Sequence, residues 1–351
     1  MSTTAERPPV GARHATAGRR LAWVTAAVAA VAVAMLLSVA LGSRTIAPDL
    51  VLRSLFTDPD ELTGEAASAA KVVRELRVPR TVIALLVGAA LGLAGAVMQG
   101  LTRNPIAEPG ILGVSQGASV AVVLAITFAG ASSLTDYVWY AFAGAALAAV
   151  AVYAVANRGR GGATPVRLAL AGAAVNALLA SVIAGVLTTN AATLDEFRFW
   201  QVGSLTGRDA EIAARIWPFM LVGAVLVAAS ARGLDALALG DDAARGLGQN
   251  VAAVRIIGGL GAAVLTGAGV AAAGPIAFVG LAVPHLGRAL VGSGHRWLLP
   301  MAALLGAVVL LVSDVVGRLV FPPSEVPAGV TTALIGVPFL VYLVRRSGGR
   351  A

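Results

Sequence analysis

The chain of 351 residues has no cysteine, a single lysine (Lys71) and only three histidines, His14, His285 and His295. Without thiols there is neither a disulfide framework nor a thiolate metal site. The histidines are scattered, so a histidine-held metal is not expected. A phosphate-cradling P-loop needs Gly-x-x-x-x-Gly-Lys followed by Ser or Thr. The sole lysine stands in Ala-Ala-Lys-Val-Val, outside any such context, so ATP hydrolysis by this chain is not expected. Charged residues are also scarce, at 13% of the chain, against about 25% in soluble globular domains.

Apolar length fills the space that charge leaves. Hydrophobic residues make up 58% of the chain, and they gather into ten stretches at about Leu21–Leu41, Thr81–Gly100, Gly113–Gly130, Tyr137–Ala156, Val166–Leu187, Ile212–Ala231, Val251–Ala271, Gly274–Val291, Leu298–Val320 and Gly329–Val344. Each is close to the roughly 20 residues that cross a hydrocarbon core of about 30 Å. The expected fold is therefore an all-α polytopic membrane protein of about ten transmembrane helices. It divides into a polar N-terminal tail at 1–20, a ten-helix domain at 21–346 that contains a polar loop at 234–250, and a short tail at 347–351. An even number of crossings puts both tails on one side. With that side inside, the inner loops carry sixteen arginines and five acids, while the outer loops carry ten basic residues and thirteen acids. Cytoplasmic loops retain Arg and Lys, so both termini are expected in the cytoplasm. The net charge of +8 is thereby a topology signal. No basic patch interleaved with stacking aromatics points to nucleic acid. The first apolar run is longer than the roughly 7–15 residues of a signal-peptide core, and it reads as a span.

The spans are rich in Ala, Gly, Val and Leu, which allows helix backbones to approach closely in lipid. Gly88 with Gly92, and Gly113 with Gly117, have the small-xxx-small spacing of such contacts. Two groups of breakers, Asn104, Pro105, Pro109 and Gly110, then Gly274, Pro275 and Pro284, interrupt the pattern. Broken backbone at membrane depth persists only where protein or a water-filled cavity satisfies it, so these are expected borders of a pathway or tight inter-helix turns.

Charged residues near the spans suggest further structure. In the loop after the sixth span Asp241 follows Gly240 and is placed to cap a short helix, with Asp242 at its positive end, Gly246 and Gly248 stopping it and Asn250 capping the next span. Arg77 and Arg80 flank Val-Pro, a pair expected to hold the chain extended and present both guanidiniums at the membrane surface. Asp314 and Arg318 lie four apart and are expected to pair. His285 has no acid or nucleophile placed by sequence to work with it, which argues against an intramembrane hydrolase. A proton-coupled carrier would bury titratable carboxylates in its spans, and only Asp314 approaches that description.

Six ordered motifs narrow the reading. They are RVPR at Arg77–Arg80, GAVMQGLTRNPIAEPGILGVSQGA from Gly95, FRFWQVGSL from Phe197, LGDDAARGLG from Leu239, GPIAFVGLAVPHLGR from Gly274, and EVPAGVTTALIGVPFLVYL from Glu325. In this order they resemble the FecCD family of ABC-importer permeases, over about Val73–Arg346. The resemblance implies a type II ABC importer permease in a bacterial inner membrane, paired with a second permease subunit, either identical or related. A separate subunit would bind ATP and Mg, and an extracytoplasmic substrate-binding protein would deliver the cargo. It implies that Leu239, Gly240, Asp241, Asp242, Arg245, Gly246 and Gly248 couple to the ATPase. It also implies that Arg77, Arg80 and Arg318 meet acids of the binding protein, the alternative being arginines that snorkel beside lipid. Asn104 and Ile106 match positions of the family's cytoplasmic gate, and Thr164 with Pro165 lies near a second gate segment. The implied cargo is a ferric siderophore, of catecholate type in appearance, with cobalamin or haem as the alternative. No metal or cofactor is expected on this chain itself.

Overall fold

The computed structural model describes residues 16–58, 61–158 and 164–348. The sequence-predicted tails therefore fall largely outside the described residues, although Ala17–Arg20 already belong to the first helix. In chain order the helices are α1 (Ala17–Ala40), α2 (Pro48–Phe56), α3 (Gly64–Lys71), α4 (Val78–Thr102), α5 (Val114–Ala129), α6 (Leu134–Asn157), α7 (Pro165–Thr189), α8 (Ala191–Gln201), α9 (Ala210–Leu237), α10 (Asp241–Gly246), α11 (Val251–Ala273), α12 (Val279–Val291), α13 (His295–Val320) and α14 (Ala328–Gly348). A π-helical turn, Val72–Arg77, joins α3 to α4, and a 3₁₀ turn, Pro109–Leu112, precedes α5. No strand occurs among the described residues.

Ten apolar helices occupy the ten expected positions, but they are not alike. Seven, namely α1, α4, α6, α7, α9, α11 and α13, are long and apolar enough to cross a membrane. The apolar parts of α5, α12 and α14 are shorter, at 114–129, 279–291 and 328–339. At 1.5 Å per residue, α12 with its 13 residues reaches only about 20 Å. The non-helical stretch Gly274–Phe278 precedes it, where Gly274 (φ 72°) and Phe278 (φ 70°) both take positive φ.

α4 runs through the centre of the bundle and packs against α13, α11, α12 and α9. Its glycines decide how closely. A Cβ on Gly88 would fall 2.4 Å from the Gly306 carbonyl oxygen, one on Gly92 would fall 2.1 Å from that of Ala302, and one on Gly95 would fall 1.9 Å from that of Gly280. Gly117 of α5 meets Gly144 of α6 in the same way, at 2.3 Å. Three of the four expected glycines thus mark helix crossings. Gly113 instead holds φ 76° at the start of α5.

Three local expectations are corrected. Val78 and Pro79 are not extended: the chain is helical through Arg77, with Pro79 in the first turn of α4. The preceding π turn lets the Val78 amide reach back to the Val73 carbonyl, which widens the backbone where the proline ring would otherwise crowd it. Pro284 lies inside α12 and does not break it. The Gln99 side-chain amide of α4 donates to the nearby Leu281 carbonyl at 3.1 Å, the kind of neighbouring donor that lets a membrane helix tolerate proline. Finally, α9 continues to Leu237, so the polar loop begins at Ala238 and not at Leu234.

Gly92→Ala is expected to lower the thermal stability of the detergent-purified protein by several degrees, since overpacking costs about 1–3 kcal/mol. Gly185→Ala is the control: a Cβ there meets nothing within 4 Å, so its melting temperature is expected to stay unchanged or rise with helix propensity.

Candidate functional site

Two polar clusters sit at opposite ends of α4. At its C-terminal end, Arg103 takes a left-handed conformation (φ 51°) and closes the helix. Its guanidinium donates to Asp241 at 3.1 Å, and Arg255 of α11 binds the same carboxylate at 2.8 Å. Asp241 therefore joins the short helix α10 to both α4 and α11. This corrects its expected role: the N-cap of α10 is Gly240, with φ 103°, and no side chain caps the helix. An Asp at the first helical position still complements the positive end of the dipole, while its oxygens are turned to the two arginines. Asp242 pairs with Arg245 at 2.8 Å on the exposed side of α10. Gly246 is the last residue of α10, and Gly248 (φ 78°) turns the chain beyond it. Asn250 caps α11 as expected, its side-chain oxygen accepting from the Ala253 amide at 3.0 Å. Leu239 and Leu247 stand on either side of α10, 67% and 62% exposed.

The same face holds a pair that sequence reasoning missed. Asp235, near the end of α9, accepts from the backbone amide of His295 at 2.8 Å and lies 2.7 Å from its Nδ1. Sixty residues separate the two, so no local pattern announces them. Among the described residues His285 belongs to no such pair. Its ring meets Phe339 edge-on, with centroids 6.3 Å apart.

Asn104 follows Arg103 directly. Its side-chain oxygen accepts from the Ile106 amide at 3.1 Å, a turn that proline at 105 permits because it needs no donor there. Ile106 is 53% exposed. Thr164 and Pro165 open α7, with the Thr164 hydroxyl accepting from the Arg167 amide and Pro165 in the first turn. α7 then packs on the 3₁₀ turn: Asn176 donates to the Gly110 carbonyl at 3.1 Å, and a Cβ on Gly172 would fall 1.9 Å from that of Ile111. Between them lies a cavity of about 380 Å³, bordered by Glu108 and Ile111, by Ala173 and Asn176 of α7, and by Pro275 and Phe278. The two breaks in helical pattern, 170 residues apart in sequence, thus border one cavity.

At the other end of α4 the arginines turn inward. Arg77, Arg80 and Arg318 are all buried, with less than a tenth of each exposed. Arg80 donates to Asp314 through Nη2 at 2.7 Å and to Glu325 through Nη1 at 2.7 Å. Arg318 also binds Asp314, as the i, i+4 spacing suggests, and donates to the Ser38 carbonyl at 2.8 Å. Arg77 donates to the carbonyls of Val39, at 2.9 Å, and Ala40, at 2.7 Å. Glu325 in addition accepts from Ser43 at 2.9 Å and from Thr206 at 3.1 Å. Burial pushes the Glu325 carboxyl upward, but Arg80, Ser43 and Thr206 outweigh it and hold it below the usual carboxylate range. Among the described residues no group of three or more His, Asp or Glu is arranged to hold a metal ion.

A bundle of ten apolar helices, a cavity lined by broken backbone and a rigid helical knob on one face together define a membrane transport permease. Comparison with known proteins gives the family. The FecCD transport family model matches residues 30–346, and the chain belongs to that family. It is 42% identical to the ferric enterobactin transport system permease protein FepD of Escherichia coli over 90% of this chain and 92% of that protein. It is 43% identical to the iron(3+)-hydroxamate import system permease protein FhuB of Bacillus subtilis over 88% of this chain and 79% of that protein. A solved inward-facing ABC transporter of metal-chelate type superposes with a TM-score of 0.78 at 28% identity, covering 92% of this chain and 98% of that one.

The depressed Glu325 carboxyl gives a pH signature. A group whose folded-state pKa lies below its unfolded value contributes stability that is complete above the unfolded value, about 4.3 for Glu, and is lost as pH falls through the folded value. Glu325→Gln is expected to be less stable than the wild type near neutral pH by about 1–3 kcal/mol, with the gap narrowing in acid. Thermal unfolding followed from about pH 7 to about pH 3 checks this.

Proposed function

We propose that this chain is the membrane-spanning subunit of an ABC importer that carries a ferric siderophore inward, using ATP and Mg bound by a separate subunit. The observation that carries the proposal is the Asp241 junction. It fastens a short exposed helix to the residue immediately before the Asn104–Pro105 turn, so a push on α10 reaches, through one ion pair, the segment that leads into the cavity wall at Glu108. The ATPase docks on α10, with Leu239 and Leu247 supplying apolar contact and Asp242 and Arg245 a charged rim. Gly240 (φ 103°) and Gly248 (φ 78°) turn the chain at either end of α10, so that the loop moves as a unit.

The cargo assignment follows the relatives, whose names specify ferric siderophores, iron citrate and hemin. A cavity with one carboxylate and several amide and hydroxyl groups suits a bulky chelate that must be released after entry. Asn104 and Ile106 form one side of the inward gate, and Thr164 and Pro165 the other, where α7 begins. α7 is the least covered of the long spans and faces a second permease subunit across the pathway. The α10 face is cytoplasmic, in accord with the basic surplus of its loops, and the membrane is the bacterial inner membrane. The opposite face receives a substrate-binding protein. There Arg77, Arg80 and Arg318 brace the loops from beneath, and pairing with acids of the binding protein requires them to exchange their present partners.

Two experiments test this reading. Asp241→Arg, which turns both ion pairs into repulsions, is expected to leave the protein inserted while lowering ATP-driven uptake of a ferric siderophore at least tenfold, roughly the effect of 1.4 kcal/mol on the coupled step. Uptake is measured in proteoliposomes with the cognate ATPase and binding protein, with and without a protonophore. Unchanged uptake by the variant, or abolition of wild-type uptake by the protonophore while ATP remains, would overturn the proposal.

Cysteines placed singly at Asn104 and Ile106 in this cysteine-free chain are expected to change reactivity toward a membrane-impermeant thiol reagent between nucleotide-free and ATP-trapped vesicles. A non-helical neck narrows or widens with small rotations of its flanking spans. Identical labelling in every state would show a static turn.

A further inference from the structure

A second cavity, of about 280 Å³, lies between α4, α6 and α11. Met98 and Leu101 of α4, with Leu112, form its floor and are almost wholly buried. Val150 of α6 with Ile256 and Leu260 of α11 border its mouth, where they are 67%, 47% and 53% exposed. α6 is one of the less covered spans, with 28% of its apolar window buried, so the mouth faces lipid. Thr102, Tyr153 and Arg255 carry the only polar side-chain groups of the lining. Water is a poor occupant of such a wall, because an enclosed water needs about two to four polar partners.

The cavity is a slot that follows the spans. On α11 its lining runs from Arg255 to Ala263, a rise of about 12 Å. That is most of one leaflet's share of a hydrocarbon core about 30 Å thick. Gly259, midway along, keeps the slot open: a Cβ there meets nothing within 4 Å, whereas one on neighbouring Gly258 packs against Val97 and Leu101 at 3.3 and 3.4 Å. The slot is therefore as long as a leaflet is deep, apolar along its length and open sideways to lipid.

Its polar groups gather at one end, the end that carries α10. Thr102 is the last residue of α4, and Arg255 lies in the second turn of α11. Arg255 Nη2 binds Asp241 at 2.8 Å, yet its Nε is enclosed and has no hydrogen-bond partner. An enclosed donor left unmet costs free energy until an acceptor reaches it. Arg103 shares the Asp241 carboxylate, and among the described residues no second acid pairs with either arginine. Two cations on one carboxylate leave a surplus positive charge at the head of an apolar slot.

We propose that this slot holds one acyl chain of an anionic phospholipid, with the headgroup phosphate against the Arg255 guanidinium. Guanidinium forks match phosphate oxygens, and basic pockets between spans on the cytoplasmic side suit anionic headgroups, the side on which the transport reading puts α10. A zwitterionic lipid fits the apolar wall equally but leaves the surplus charge unmet, so charge is what selects the occupant. Because Arg255 also binds Asp241, the lipid adjoins the joint that holds α10. The site requires neither ATP nor a binding protein, so its failure would leave the transport reading intact.

The full-length chain is reconstituted into phosphatidylcholine vesicles with a trace of phosphatidylglycerol carrying a diazirine on one acyl chain, and crosslinked residues are located by mass spectrometry after irradiation. The wild type is expected to be labelled on α11 between Arg255 and Ala263 and on α6 between Ala149 and Ala154. This labelling is expected to exceed that by a phosphatidylcholine probe with the same chain about tenfold. Gly259→Leu, which fills the slot with a side chain, is expected to lower it at least tenfold. If Gly259→Leu does not fold, Arg255→Gln is expected to bring the phosphatidylglycerol probe within about twofold of the phosphatidylcholine probe. Equal labelling of the wild type by the two probes would overturn the proposal. So would labelling that survives in folded Gly259→Leu or, where that variant does not fold, an undiminished preference for phosphatidylglycerol in Arg255→Gln. Labelling lost when the cognate ATPase assembles on the chain would also overturn it, and would assign the slot to a contact with that subunit.

Discussion

The bundle depends on how closely other helices approach α4. In lipid no hydrophobic force drives apolar helices together, so association relies on packing and on the polar contacts that packing permits. Gly88, Gly92 and Gly95 lie along α4 and bring it against carbonyls of Gly306, Ala302 and Gly280. These three contacts fix α13 and α12 relative to α4 at successive depths. The contact at Gly95 also places the first turn of α12 beside the cavity, where Gly280 and Leu91 both contribute to the wall. A central helix without those glycines would stand further off, and the cavity would lose its shape.

Because α4 is held this way, its two ends become fixed points. Its 25 residues span about 37 Å, with Arg80 near one end and Arg103 at the other. Each arginine shares a carboxylate with a second arginine: Arg80 and Arg318 on Asp314, Arg103 and Arg255 on Asp241. The two junctions differ in burial. Asp314 is fully enclosed, so removing either partner leaves a stranded charge, which is far more costly than the pair is favourable. Asp241 is a quarter exposed, and its ion pairs can yield at modest cost. A rigid brace at one end and a yielding joint at the other suits a helix that stays in place while the α10 face is moved.

The sequence made the apolar helices legible because a span needs a run of about 20 apolar residues, a strong and local signal. It also made legible the caps and turns that depend on neighbours in sequence, such as Asn250 on α11 and the pairing of Asp314 with Arg318. Val78–Pro79 was misread because the rule that disfavours helix before proline is local, whereas here the π turn relaxes the backbone ahead of it. Asp241 was misread for a related reason. As a capping residue it fitted the local pattern, but Arg103, 138 residues away, and Arg255 claim its oxygens, and Gly240 takes the cap position. The burial of Arg77 and Arg80 was hidden for the same cause, since Glu325 and the ends of α1 approach them only in the fold.

The cavity shows how non-helical backbone survives at this depth. An unpaired peptide group in hydrocarbon costs several kcal/mol, so each break needs local partners. In the first, the Asn104 side chain, the Ala107 amide bonded to the Asn104 carbonyl, and Asn176 on the Gly110 carbonyl supply them. In the second, the Gly274 amide returns to the Val270 carbonyl and Ser204 donates its amide to the Ala273 carbonyl. Only Asn176 of α7 and Ser204 of the connection after α8 reach the breaks from other elements, while the remaining partners lie within the break or on the helix beside it. A break whose polar groups are met mostly by neighbours in sequence can shift as a unit without stranding a donor or acceptor. That property, more than the cavity's size, is what a gate built from broken helices requires.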